Sequence, residues 1–183
     1  KMWQSDFKPT KPYADIYDRV SSGVSFRLLG LPGLGKTRMV GEAFRKYNND
    51  VYYCDCRNQS TKEVMGAVDS LMERRGNTKQ VVILDNCSQS LCGFMNESIN
   101  QNGYNCQLIT IHYDPSENVD SGIESIQLRV DSFVEVVKAM VDEVKDMPND
   151  VREIIIDMAG GFPLMADLMI DNFHNEISVT NVS

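Results

Sequence analysis

The chain has 183 residues, 42% hydrophobic and 24% charged, with a formal net charge of -8 at pH 7. These proportions belong to a soluble globular protein large enough for one α/β domain plus a small appendage. No apolar run approaches the roughly 20 residues needed to span a bilayer, and the acidic balance argues against broad nucleic-acid binding.

Residues 1–23 read as a lead-in holding Trp3, Pro9 and Pro12, then a short helix from about Tyr13 to Ser21. Val24 to Leu29 is a first strand, and a helix is expected from Gly35 to about Tyr47, broken by Asn48-Asn49-Asp50. Val51-Tyr52-Tyr53-Cys54 is β-rich and predicts a second strand. Ser60 and Glu63 have the spacing of a capping box. Val64, Ala67, Val68 and Leu71 follow at helical intervals, so a helix runs to about Arg75, ended by Gly76-Asn77. Val81-Val82-Ile83-Leu84 is continuously apolar, as a strand buried on both faces requires. A helix then fits Gln89 to Asn100, a fourth strand Gln107 to Ile111, and a fifth Ser125 to Leu128.

The last third changes character. Ser132 and Glu135 have capping-box spacing ahead of an apolar stripe that includes Phe133, Val137, Met140 and Val144. Pro148 stops that helix. Another opens at Asp150 and Glu153, Gly160-Gly161 ends it, and Pro163 suits the first turn of a third. The fold class expected is α/β: a mostly parallel five-stranded sheet flanked by helices over 24–130, then a small helical subdomain over 131–183.

One motif stands out. Gly30-Leu31-Pro32-Gly33-Leu34-Gly35-Lys36-Thr37 fits the phosphate-loop pattern G-x-x-x-x-G-K-[ST], between a strand and a helix as that pattern requires. Glycines let successive backbone N–H groups converge on one anion, and the helix N-terminus adds its positive dipole end. Lys36 brings a full charge to the β- and γ-phosphates, and the Thr37 hydroxyl can ligate Mg²⁺. Val81 to Asp85 is an apolar strand ending in an acid, the Walker B arrangement, which calls for a rigid strand beside the loop strand. Asn86 stands where many ATPases carry a carboxylate that polarises water. An amide can orient water but cannot take its proton, so Asn86 is either a weak hydrolytic residue or a turn residue. Thr110, near the end of the fourth strand, is placed to sense a γ-phosphate; His112 and Tyr113 read as loop packing. Phosphate loop, Asp85 and Thr110 all fall at the carboxyl ends of strands, where such sheets bind ligands.

Of the five cysteines, none has C-x-x-C spacing, which fits free thiols in a reducing, cytoplasmic setting. Cys54-Asp55-Cys56 lacks the partner pair a metal site needs. There is no signal-peptide pattern, and the chain opens on Lys1 rather than Met, as a piece of a longer protein would.

Taken together, the chain resembles the STAND class of signal-transduction ATPases, which includes NB-ARC and NACHT-like switches. Leu28 to Arg38 resembles that class's loop, Ile83-Leu84-Asp85-Asn86-Cys87 is similar to the Walker B of bacterial members, and Ala159-Gly160-Gly161-Phe162-Pro163-Leu164 looks like the GG-x-P motif. The resemblance implies ATP/ADP and Mg²⁺ as ligands. Lys36, Asp85 and Asn86 would be catalytic, and Thr37 and Asp85 would hold the metal. Gly30, Pro32, Gly33, Leu34, Gly35, Lys36, Thr37, Arg38, Thr110 and Pro163 would bind nucleotide, Pro163 near the adenine. It further implies a homo-oligomer with effector and sensor domains outside this segment, serving immune or antiphage defence or transcription regulation. The NB-ARC arginine after the fourth strand is absent from Thr110-Ile111-His112-Tyr113, which favours a divergent bacterial type. Competing readings are an AAA-type ATPase with continuous turnover and a P-loop small-molecule kinase. A kinase lid needs arginines, and the helical tail offers only Arg152.

Overall fold

The computed structural model describes residues 7, 9–45, 51–75, 78–113 and 122–180, with 175–180 in backbone alone. Its elements are α1 (Lys11–Ser22), β1 (Phe26–Leu29), α2 (Lys36–Phe44), β2 (Val51–Asp55), α3 (Thr61–Arg75), β3 (Gln80–Asp85), α4 (Gln89–Gln101), β4 (Cys106–His112), β5 (Ser125–Gln127), α5 (Val134–Asp142), α6 (Asn149–Ala159) and α7 (Pro163–Thr180). The expected breaks at Asn48-Asn49-Asp50 and Gly76-Asn77 lie outside the described residues.

Five strands form one parallel sheet in the order β2-β3-β4-β1-β5. This is the α/β sheet that the alternation of strands and helices predicts. Every residue of β1 and β3 is buried, as continuous apolar runs in a two-faced parallel sheet require. On one face, Val64, Val68 and Met72 of α3 and Leu91, Met95 and Ile99 of α4 pack with Val82, Leu84 and Leu108. The capping box of α3 forms reciprocally: the Glu63 backbone N–H donates to Ser60 Oγ at 3.3 Å, and the Ser60 N–H donates to Glu63 Oε2 at 2.8 Å. The order also corrects one expectation. The strand ending in Asp85 is not beside the loop strand, because β4 lies between β3 and β1.

The chain divides into two compact units. One comprises 13–30 and 36–127, the sheet and its helices; the other comprises 1–12, 31–35 and 128–183. In the second, α5, α6 and α7 close around Val137, Val141, Ile155, Ala159 and Ala166, all buried. The expected Ser132–Glu135 cap does not form. Ser132 falls in a 3-10 turn, Val130–Phe133, that runs directly into α5 without a side-chain cap, and Glu135 instead accepts from Lys138 Nζ at 2.8 Å. Arg152 is used structurally. It donates to the carbonyl oxygens of Val141, in the last turn of α5, at 2.5 Å and of Met147 at 3.0 Å, and also to that of Val144, the latter two in the segment that follows.

Gly160 ends α6 in the left-handed conformation (φ 53°), its N–H donating to the Ile156 carbonyl at 3.2 Å. Gly161 follows at φ 88°, and a Cβ there would sit 2.7 Å from the Val130 carbonyl oxygen. Both conformation and space demand glycine at that second position.

Candidate phosphate-binding site

The loop after β1 bends through three glycines of positive φ: Gly30 (153°), Gly33 (86°) and Gly35 (78°). A Cβ on Gly35 would meet nothing within 4 Å, so its requirement is conformational. Leu34 is 1% exposed, so its side chain serves the core and only its backbone can face a ligand. Leu31 and Pro32 are exposed.

At the start of α2, Lys36 Nζ donates to the Gly30 carbonyl at 2.6 Å, drawing its ammonium across the base of the loop. Burial lowers the Lys36 pKa, and the nearby Asp85 charge offsets part of that effect. Thr37 Oγ1 donates to Asp85 Oδ2 at 2.7 Å, across the intervening strand. Asp85 is 8% exposed, and its carboxylate takes two further donors. Tyr53 OH reaches Oδ2 at 2.9 Å, and the Asn86 N–H reaches Oδ1 at 2.8 Å. Desolvation and this bond to Asp85 raise the Tyr53 pKa, so the phenol stays a donor.

Asn86 resolves as a turn residue. Its φ is 55°, a conformation asparagine tolerates, and its Nδ2 donates to Asp55 Oδ1 at 3.0 Å. Asp55 ends β2 in register with Asp85 on β3. Arg57 holds it through its backbone N–H at 3.2 Å, Nε at 2.9 Å and Nη2 at 2.5 Å. The Arg57 bonds, aided by Asn86, bring the Asp55 pKa down to about 2. Thr37, Asp85, Asn86 and Asp55 thus form one hydrogen-bonded chain, crowned by Tyr53.

Thr37 and Asp85 place two hard oxygens side by side, a donor set that suits Mg²⁺, which takes hydroxyl and carboxylate together with water and phosphate oxygens. Thr110 does not join them. It is 0% exposed, and its hydroxyl donates to Cys92 Sγ at 3.5 Å inside the sheet. His112, 6% exposed, packs its ring 4.4 Å from that of Tyr113. Among the described residues no cluster of three or more His, Cys, Asp or Glu could hold a metal.

In the helical unit, Pro163 opens α7, and the next residue meets the loop. The Leu164 N–H donates to the Gly33 carbonyl at 3.2 Å, and a Cβ on Gly33 would lie 3.5 Å from Leu164 Cβ.

No protein-family model matches the sequence, and no curated protein matches it. Solved structures do. A point mutant of Thermotoga maritima RuvB superposes with a TM-score of 0.69 at 15% identity, over 96% of this chain and 65% of that one. The same organism's RuvB described as a Holliday junction branch migration motor gives 0.65 at 14% identity, over 92% and 63%. Saccharomyces cerevisiae RIF2 gives 0.54 at 12% identity, over 87% and 78%.

The fold is that of a P-loop NTPase. The chain spans less than two thirds of the RuvB chains it matches. In a P-loop NTPase the loop backbone and lysine cradle phosphates while a Ser/Thr and the Walker B acid hold Mg²⁺. In this chain Lys36 Nζ lies against the Gly30 carbonyl at 2.6 Å, and Thr37 Oγ1 meets Asp85 Oδ2 at 2.7 Å. Sequence reasoning missed Tyr53, Asp55 and Arg57. The alternation of β2 carried a signal, since Tyr53 and Asp55 fall two apart at the carboxyl end of a strand, on the face opposite Tyr52 and Cys54.

Proposed function

We propose that this chain is the ATP/ADP-binding switch and oligomerisation module of a STAND-type signalling ATPase with slow hydrolysis, acting in the cytoplasm in immune or antiphage defence. The observation that carries the switch reading is the Leu164 N–H bond to the Gly33 carbonyl. It ties the GG-x-P turn to the phosphate loop, so a change in loop conformation reaches the helical subdomain (131–183) directly. In this reading the loop backbone from Gly30 to Arg38 binds phosphates, Lys36 neutralises the β- and γ-phosphates, and Thr37 and Asp85 hold Mg²⁺. The metal supplies charge neutralisation of the phosphate oxygens when bound. Pro163 fixes the first turn of α7 beside the loop. The γ-phosphate favours one arrangement of loop and helix over the other, and that difference in affinity is the switch. Effector and sensor domains lie in other parts of the protein.

A second reading, an AAA-type motor with continuous turnover, is favoured by the likeness to RuvB. Arg152 weighs against a kinase lid, because its guanidinium is committed to the carbonyls of Val141, Val144 and Met147. Two measurements test the proposal. Lys36→Ala is expected to weaken ATP binding by at least ~100-fold, or about 2.7 kcal/mol, with the circular dichroism spectrum unchanged. Retained affinity removes the site assignment. The wild-type chain is expected to purify with bound nucleotide and to turn over slowly; rapid steady-state hydrolysis would favour the motor.

A further inference from the structure

We propose that Asp55 is the carboxylate that holds the attacking water during ATP hydrolysis, replacing the acid that the Walker B strand lacks at Asn86. The proposal rests on the nucleotide reading of the site and deepens it. Four observations carry it.

First, Asn86 is already occupied. Its amide nitrogen donates to Asp55 Oδ1 at 3.0 Å, so the residue after Asp85 presents the Asp55 carboxylate. Second, Asp55 lies on the adjacent strand in register with Asp85, at the same carboxyl edge of the sheet. Third, Tyr53 and Asp55 share one face of β2, and the Tyr53 hydroxyl touches Asp85 at 2.9 Å. That face is therefore the one turned to the Thr37–Asp85 pair. Fourth, the two carboxylates differ in access. The Asp55 side chain is 33% exposed, so water reaches it beside its Arg57 and Asn86 donors, whereas Asp85 is 8% exposed.

Arg57 forks onto Asp55 and fixes its direction. In the step, the water oxygen bonds to the γ-phosphorus. The bond from that phosphorus to the β–γ bridging oxygen breaks, and its electron pair stays on ADP. One water proton passes to the Asp55 carboxylate and from there to bulk water. The Arg57 bonds keep Asp55 a weak base, which a loose phosphoryl-transfer transition state tolerates and which limits the rate.

Asp55 also caps the 3-10 turn Cys56–Asn58, accepting from the Arg57 N–H. Asn caps as well as Asp, so Asp55→Asn retains the turn while removing the charge. The experiment compares wild type, K36A, D55N and the swap D55N/N86D. It measures ATP binding with a fluorescent ATP analogue, single-turnover hydrolysis, and the nucleotide released on denaturing the purified chain. D55N is expected to bind ATP within about threefold of wild type, to hydrolyse it at least ~100-fold more slowly, and to purify with ATP where wild type carries ADP. The swap restores the hydrogen bond in reverse and is expected to regain at least tenfold (~10×) of the lost rate.

Hydrolysis by D55N within threefold of wild type, or no hydrolysis by a wild type that binds ATP, overturns the role of Asp55 and leaves the nucleotide site standing. No ATP binding by wild type overturns both. Should D55N not fold, the swap decides alone: a rate within tenfold of wild type supports the proposal, and loss of hydrolysis with ATP bound overturns it.

Discussion

Asp85 takes three donors, from Thr37, Tyr53 and its own neighbour's N–H. Thr37 is the partner that the expected metal site calls for. The Tyr53 phenol is not, and it sits on the same oxygen that Thr37 uses. In the proposed site Asp85 would ligate Mg²⁺, and a donor on that oxygen would withdraw charge from the ligand. Tyr53→Phe removes it without changing shape, at a cost of one half-exposed hydrogen bond, about 1 kcal/mol. The Mg²⁺ concentration giving half-maximal nucleotide binding is expected to fall by about threefold to fivefold in that variant. An unchanged or raised value would make Tyr53 part of the metal's own support. At this scale the sequence was legible where motif position sets geometry: the Thr37 and Asp85 side chains, expected at one site, meet at 2.7 Å. It was opaque where a residue acts through a neighbouring strand. Asp55 and Tyr53 enter the site only because β2 pairs with β3 in one register, and no local pattern states that register. Thr110 erred for the opposite reason. It lies near the end of its strand, but β4 continues to His112, which leaves Thr110 inside the sheet.

Among the elements, strands were read from continuous apolar runs and helices from their period, and both signals survive because each reflects burial. Val81 to Leu84 can be apolar throughout only if both faces of the sheet are covered. Caps were less legible, since the same spacing serves two different ends. Ser60 and Glu63 close a box because Ser60 precedes a helix directly. Ser132 and Glu135 do not, because a 3-10 turn comes first and the helix start moves past Ser132. Strand order was not written locally either, and β4 between β1 and β3 lengthens the span that Thr37 and Asp85 bridge. The Gly160-Gly161 turn gives the sharpest test of an element boundary. Its second glycine stands at φ 88° with the Val130 carbonyl against its open side. Gly161→Ala adds a left-handed penalty and a backbone clash together, expected to destabilise by about 2–4 kcal/mol. Urea unfolding of the full chain measures it. Gly160→Ala, which meets only the Asp157 carbonyl at 3.9 Å, is expected to cost about 1 kcal/mol. Equal losses in the two variants would remove packing from the explanation.

At the scale of the whole molecule, the division of the chain runs through the phosphate loop itself. Residues 31–35 belong with the helical segment, while Gly30 and Lys36 on either side belong with the sheet. The Leu164 N–H bond to the Gly33 carbonyl is the point at which a change in the loop can be read, because an amide exchanges its hydrogen only when that bond opens. If loop and helical subdomain switch together, hydrogen exchange at Leu164 and the first turn of α7 must differ between the ATP- and ADP-bound chain. Exchange in the middle of α4, which has no part in the loop, must not. The expected difference is at least ~10-fold in rate, equivalent to about 1.4 kcal/mol of opening free energy. Pro163→Ala loosens the first turn of α7, since proline fixes φ there. It is expected to narrow that difference and to speed ADP release severalfold while leaving the thermal midpoint within a few degrees. Identical exchange with either nucleotide would uncouple the GG-x-P turn from the loop and leave the chain a nucleotide-binding domain without a switch.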